Sequence, residues 1–129
     1  MTTTEEFAHR FINATAAGDL ETVAAMYAPD AVIAINVMPR PLGPDAGLAV
    51  LAELHERAAS VRYEVLEVIP TEQGYVQRHI LHVVVPARGE QAEQALAVPA
   101  CLVVRVEDDR ITRLDEYLDS AQVAPLFGG

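Results

Sequence analysis

Two periodicities divide the chain. In its first part apolar residues recur at three- and four-residue spacing, and beyond Ser60 they alternate with polar ones. Thr3 and Glu6 have the spacing of a capping box, and Phe7, Phe11, Ile12 and Ala14 share one face of a helix that Gly18 stops. Asp19 caps a second, short helix through Leu20, Val23, Met26 and Tyr27, ending before Pro29. Ala31 to Asn36 is a β-branched, apolar run and predicts a first strand, and the Pro- and Gly-rich loop "MPRPLGPD" follows it. Pro44, tolerated in a first helical turn, opens a third helix to about Ala59.

From there the period is two. Val61, Tyr63, Val65 and Ile69 alternate with Arg62, Glu64, Leu66 and Val68, and "PTEQG" turns the chain into a strand from Tyr75 to Val85. Ala95 to Val106 predicts a long strand with a bulge or an edge at Pro99, which has no N–H to donate. "EDDR" leads into a last strand, Ile111 to Leu118. Helix, helix, strand, helix and a four-strand antiparallel meander make an α+β fold. The expected form is a cone-shaped, curved, mostly antiparallel sheet with three helices on its concave face, enclosing a cavity.

Length and charge narrow the function. The 129 residues suit a single domain spanning 1–129. A net charge of −10 argues against nucleic acid and anionic membrane surfaces as partners, and no apolar run is long enough for a membrane span. All nine basic residues are Arg, so Schiff-base chemistry on Lys is excluded. A lone Cys101 and a start that does not resemble a secretory signal lead to the expectation of a cytoplasmic protein. His79 and His82, three residues apart, fall on opposite faces of a regular strand and cannot chelate one ion there without a bulge, so no metal is expected, and with no Gly-rich phosphate loop or dinucleotide fingerprint in the sequence no other cofactor is expected either.

The segments "AAGDLETVAAMYAPDAVI" (16–33), "MPRPLGPDAGLAVLAEL" (38–54) and "RITRLDEYLDS" (110–120) together resemble the SnoaL-like branch of the superfamily of nuclear transport factor two and ketosteroid isomerase, a cystatin-like fold. They are also similar to limonene epoxide hydrolases. The resemblance implies a homodimer and a pocket for a small apolar molecule with one or two polar groups. At the isomerase's tyrosine, base and oxyanion-hole positions it places Phe11, Ile35 and Leu102, none of which can do that chemistry. At the hydrolase's final-strand Asp it places Glu116, with Ile33 and Ile35 at the Tyr and Asn positions. Ile80 and His82 fall at the hydrolase's Arg–Asp pair, or Arg78 and Ile80 after a shift of register.

The hydrolase resemblance also assigns Val76, Arg78, Ile80, His82 and Val84 to the cavity face, together with Thr112, Leu114, Glu116 and Leu118 of the last strand. The expected catalytic set is therefore His82 as base or acid, Glu116 as its carboxylate partner or as a water-activating base, and Arg78 as anion holder. A structural Arg78–Glu116 ion pair is the competing reading. His79 would face outward, towards an interface, unless a bulge of one residue exchanged the two His positions. Phe11, Tyr27, Ile33, Ile35, Asn36, Tyr63, Ile80, Leu102, Leu114 and Leu118 complete the expected ligand pocket. The function expected is cofactor-free acid/base chemistry of the isomerase, cyclase or epoxide hydrolase type, and the alternative is a non-catalytic binding or interaction domain.

Overall fold

A computed structural model describes residues 3–127. The elements are α1 (Thr4–Ala17), α2 (Leu20–Met26), β1 (Tyr27–Ile35), α3 (Pro44–Arg57), β2 (Ser60–Pro70), β3 (Gly74–Val85), β4 (Gln94–Glu107), β5 (Arg110–Leu118), α4 (Ser120–Val123) and a 3-10 turn, Ala124–Phe127. The strands form one mixed sheet in the order β1-β5-β4-β3-β2, antiparallel except where β1 runs parallel to β5. The α+β class holds, with the short α4 added to the three expected helices.

The local signals act as their chemistry requires. Thr3 Oγ1 accepts the Glu6 N–H at 3.1 Å to start α1, and Gly18, at φ 70°, ends it in the left-handed conformation. Asp19 then accepts the Thr22 N–H to start α2. Between β4 and β5, Asp108 and Asp109 both take positive φ, as a tight two-residue hairpin turn demands.

Two local expectations change, and at Pro99 the structure takes the edge rather than the bulge. β1 begins at Tyr27 rather than Ala31, because Tyr27 already pairs with Ile111 and a register irregularity absorbs Pro29 and Asp30 before Val32. Pro99 leaves β4 unbroken: β5 pairs with β4 only from Ala100 onward, so β4 has a local edge where Pro99 has no N–H to offer. In β2 a bulge between Val65 and Glu67 switches the faces, turning Val68 towards Gln77 and leaving Leu66 and Ile69 exposed.

The apolar interior falls into two clusters. One gathers Phe7, Phe11, Tyr27, Ile33, Leu102 and Leu114 beneath α1 and α2; the other joins Leu54, Leu81, Val83 and Val98 to Val123 and Leu126 of the C-terminal segment. A cavity opens along the seam between them, lined by members of both.

Candidate functional site

The seam cavity leaves about 110 Å³ open to the centre of a water-sized sphere and continues into solvent at its mouth. It is a concave, mostly apolar recess of the kind small ligands occupy. Its wall is apolar, with Phe11, Ile33, Ile35, Leu102, Leu114 and Leu118 facing the interior. Polar groups are few: Glu116 from β5, Tyr27 from the start of β1, Tyr63 from β2, His79 from β3 and Thr15 from α1.

Glu116 sits among apolar neighbours because strand alternation places it between Leu114 and Leu118 on the inward face of β5. Among the described residues its carboxylate has no hydrogen-bond or ion-pair partner. Burial raises its pKa from 4.5 to about 7. Burial, and secondarily the Glu116 charge, pushes the Tyr27 hydroxyl up to about 12, and the Tyr63 hydroxyl is raised by the same two causes. Both phenols therefore remain neutral donors at neutral pH.

His79 is 1% exposed. Burial lowers its pKa from 6.5 to about 4, so the imidazole is neutral at neutral pH. Its ring meets that of Tyr63 edge-on, with centroids 5.1 Å apart, and the equally buried Gln77 donates from Nε2 to its Nδ1 at 3.1 Å. Among the described residues, Nε2 of His79 is buried without a partner. Glu116 is paired to Leu102, and Leu102 to Gln77, so Glu116 and His79 stand two strands apart and out of step along them. Two strand spacings and two residues of stagger put their backbones about 12 Å apart, which leaves room for a bound molecule between the side chains.

The expected convergence of Arg78 and His82 on Glu116 does not occur. Both lie on the outer face of the sheet, where Arg78 Nε donates to Glu67 at 2.9 Å and His82 Nε2 to Glu64 at 2.8 Å. Neither they nor Ile80, of the same parity, line the cavity. The inward set of β3 is instead Tyr75, Gln77, His79, Leu81 and Val83. The reason is pairing: antiparallel partners share a face, and Arg62, which opposes His82, points outward with Glu64. Asn36 also stays out of the wall. It is exposed and exchanges two hydrogen bonds with the Leu118 backbone, at 2.9 and 3.1 Å, pinning the end of β1 to the end of β5.

Sequence reasoning missed His79, Gln77 and the C-terminal wall made by Val123 and Leu126. The charges of Arg62, Glu64 and Arg78, read together across the β2–β3 hairpin, carried the signal for the first two.

Residues 8–114 match the family model of the SnoaL-like domain, and the chain belongs to that family. Among solved structures, IdmH of Streptomyces antibioticus, provisionally assigned as a polyketide cyclase, superposes with a TM-score of 0.83 at 18% identity, over 98% of this chain and 99% of that one. A provisionally assigned SnoaL-like polyketide cyclase of Shewanella denitrificans OS-217 gives 0.80 at 19% identity over 96% of each chain. An epoxide hydrolase of M. tuberculosis, of the LEH-like kind, gives 0.75 at 17% identity, over 95% of this chain and 87% of that one. No curated protein matches the sequence. Among the described residues no helix is long and apolar enough to cross a membrane.

Proposed function

We propose that the seam cavity binds a small, largely apolar molecule carrying a carbonyl group, and that Glu116 moves a proton on it without a cofactor. The observation that carries this reading is an unpaired carboxylate in an apolar cavity, with its pKa raised to about 7. Such a group takes a proton from carbon and returns it at similar cost near neutral pH. Glu116 as carboxylate accepts the proton α to the carbonyl, the C–H electron pair forms the C=C bond of an enolate, and the carbonyl π pair moves to oxygen. Where the substrate has a C=C β,γ to the carbonyl the product is a dienolate, and return of the proton at the γ carbon completes an isomerisation. Attack of the enolate carbon on a second carbonyl, followed by protonation of the new alkoxide, completes a cyclisation.

Epoxide hydrolysis fits less well, because the Arg and Asp that protonate the epoxide in the hydrolases have no counterpart in the wall and Arg78 lies outside. The similarity to cyclases supports the carbonyl reading. The protein is further taken to be a cytoplasmic homodimer, in keeping with lone Cys101 and with the exposed Leu66, Val103 and Tyr117. Non-catalytic binding is the second reading, favoured by the apolar Phe11, Ile35 and Leu102 at the isomerase's working positions.

A thermal-shift screen of cyclic ketones, β-keto esters, lactones and epoxides, followed by turnover assays on every binder, separates the two. Turnover of a carbonyl compound that Glu116→Gln abolishes while still binding it is the expected result. Binding with no turnover across the carbonyl set would assign the cavity to the second reading.

A further inference from the structure

We infer that Gln77 is a positioning residue whose amide N–H fixes the proton of neutral His79 on Nε2, making that N–H a donor to an oxygen of the molecule bound in the cavity. The substrate contact rests on the proposed function; the tautomer does not. Gln77 and His79 are successive inward positions of β3, each 1% exposed. A Gln–His pair buried to that depth is an unusual choice for two core positions, since each carries groups that must be satisfied out of water.

The pairing accounts for half of the imidazole. Gln77 Nε2 lies 3.1 Å from Nδ1, and an amide NH2 can only donate, so Nδ1 is the acceptor and the ring proton resides on Nε2. Among the described residues that Nε2 has no partner, although a buried N–H left unpaired costs about 1–3 kcal/mol. His79 belongs to the cavity wall, and the Tyr63 ring, edge-on at 5.1 Å, limits its swing. Nε2 is itself shielded from solvent, so an acceptor on the ligand completes this orphaned donor by displacing the side chains that cover it. A neutral imidazole also suits this task better than an imidazolium, because it keeps its proton while charge grows on the oxygen it contacts.

The groups around His79 divide the work. Glu116, on the far side of β4, handles the proton on carbon; Tyr63, beside the ring, supplies a second neutral hydroxyl. Gln77 touches no ligand and acts only through the imidazole.

Long-range 15N–1H NMR of the histidine side chains in the ligand-free protein reads the tautomer directly. The expected spectrum at pH 7 shows His79 as neutral Nε2–H, and in Gln77→Glu the proton moves to Nδ1, as neutral Nδ1–H or as imidazolium. A wild-type His79 that is Nδ1–H, or a folded Gln77→Glu variant still holding neutral Nε2–H, overturns the inference. Should that variant not fold, the wild-type spectrum decides alone. Cyclohexanone added up to its solubility limit is expected to move the His79 Nε2–H signal and leave His82 unmoved; no shift at His79 overturns the donor role. If the Nε2–H tautomer and the ketone shift are found but no carbonyl compound is turned over, the proposed catalysis fails while this inference stands. Turnover with an Nδ1–H imidazole has the opposite meaning.

Discussion

His79 and His82 occupy one strand three residues apart, and the sheet gives them opposite circumstances. On the inner face His79 is desolvated, held by an amide and left with one buried nitrogen that has no partner among the described residues. On the outer face His82 leans on Glu64, beside Arg78 on Glu67. The two carboxylates repeat the contrast: Glu64 has a partner and solvent, whereas Glu116 is half-buried in an apolar wall and, among the described residues, has no partner. A polar group in water or in an ion pair is already satisfied, so the outer face keeps ordinary chemistry. The inner face holds unsatisfied groups, and those are the ones a ligand can complete.

The largest effect that would sharpen this contrast is on turnover. Glu116→Gln is expected to lower kcat about 10²–10⁴-fold, the usual worth of a positioned general base. Glu64→Gln should leave kcat within about twofold, since an exposed pair does not reach the cavity. Next comes His79→Leu, expected to cost about 10²–10³ in kcat as the loss of one oxyanion donor does. It should also destabilise by about 1–3 kcal/mol, because the Gln77 amide is then buried unpaired. His82→Leu should change neither kcat nor KM appreciably, and equal losses from the two histidines would erase the distinction between the faces.

The pH dependence of stability gives a smaller, signed effect. Glu116 holds its proton more tightly when folded, at about 7 against an ordinary 4.5, so its contribution is complete below pH 4.5 and is lost as pH rises through about 7. His79 runs the other way: the neutral buried ring contributes fully above pH 6.5, and that contribution is lost as pH falls towards 4. Glu116→Gln removes the first limb, so the variant should be about 1–3 kcal/mol more stable than the wild type at pH 8 and nearly equal to it at pH 4. Denaturant unfolding at the two pH values measures this. Smallest of all, Arg78→Ala should shift stability by no more than about 0.5 kcal/mol, in keeping with an exposed ion pair.

How much of this was legible in sequence follows from how local each signal is. Caps at Thr3 and Asp19, the stop at Gly18 and the period change at Ser60 depend on neighbours in the chain, and the elements they mark stand where expected. Glu116 was legible for a similar reason: Leu114 and Leu118 bracket it at period two, and the strand has no bulge between them. β3 was harder. Each of its faces carries both apolar and polar residues, so its own alternation does not choose between them, and the resemblance to hydrolases chose the outer set. Only the cross-strand partners Arg62 and Glu64 break the tie, and the bulge at Leu66 hides part of that pairing from a reading of β2 alone. The C-terminal wall from Val123 and Leu126 depends on long-range packing against Leu54 and Leu81, which no local pattern encodes.

The most direct single measurement is a 13C NMR titration of the Glu116 side-chain carboxyl in the ligand-free protein, assigned by its loss in Glu116→Gln. A midpoint near 7 is the expected result for a carboxylate desolvated in the cavity without a partner. A midpoint near the ordinary 4.5 would contradict that state, and with it the acid/base role at the inner face of the sheet.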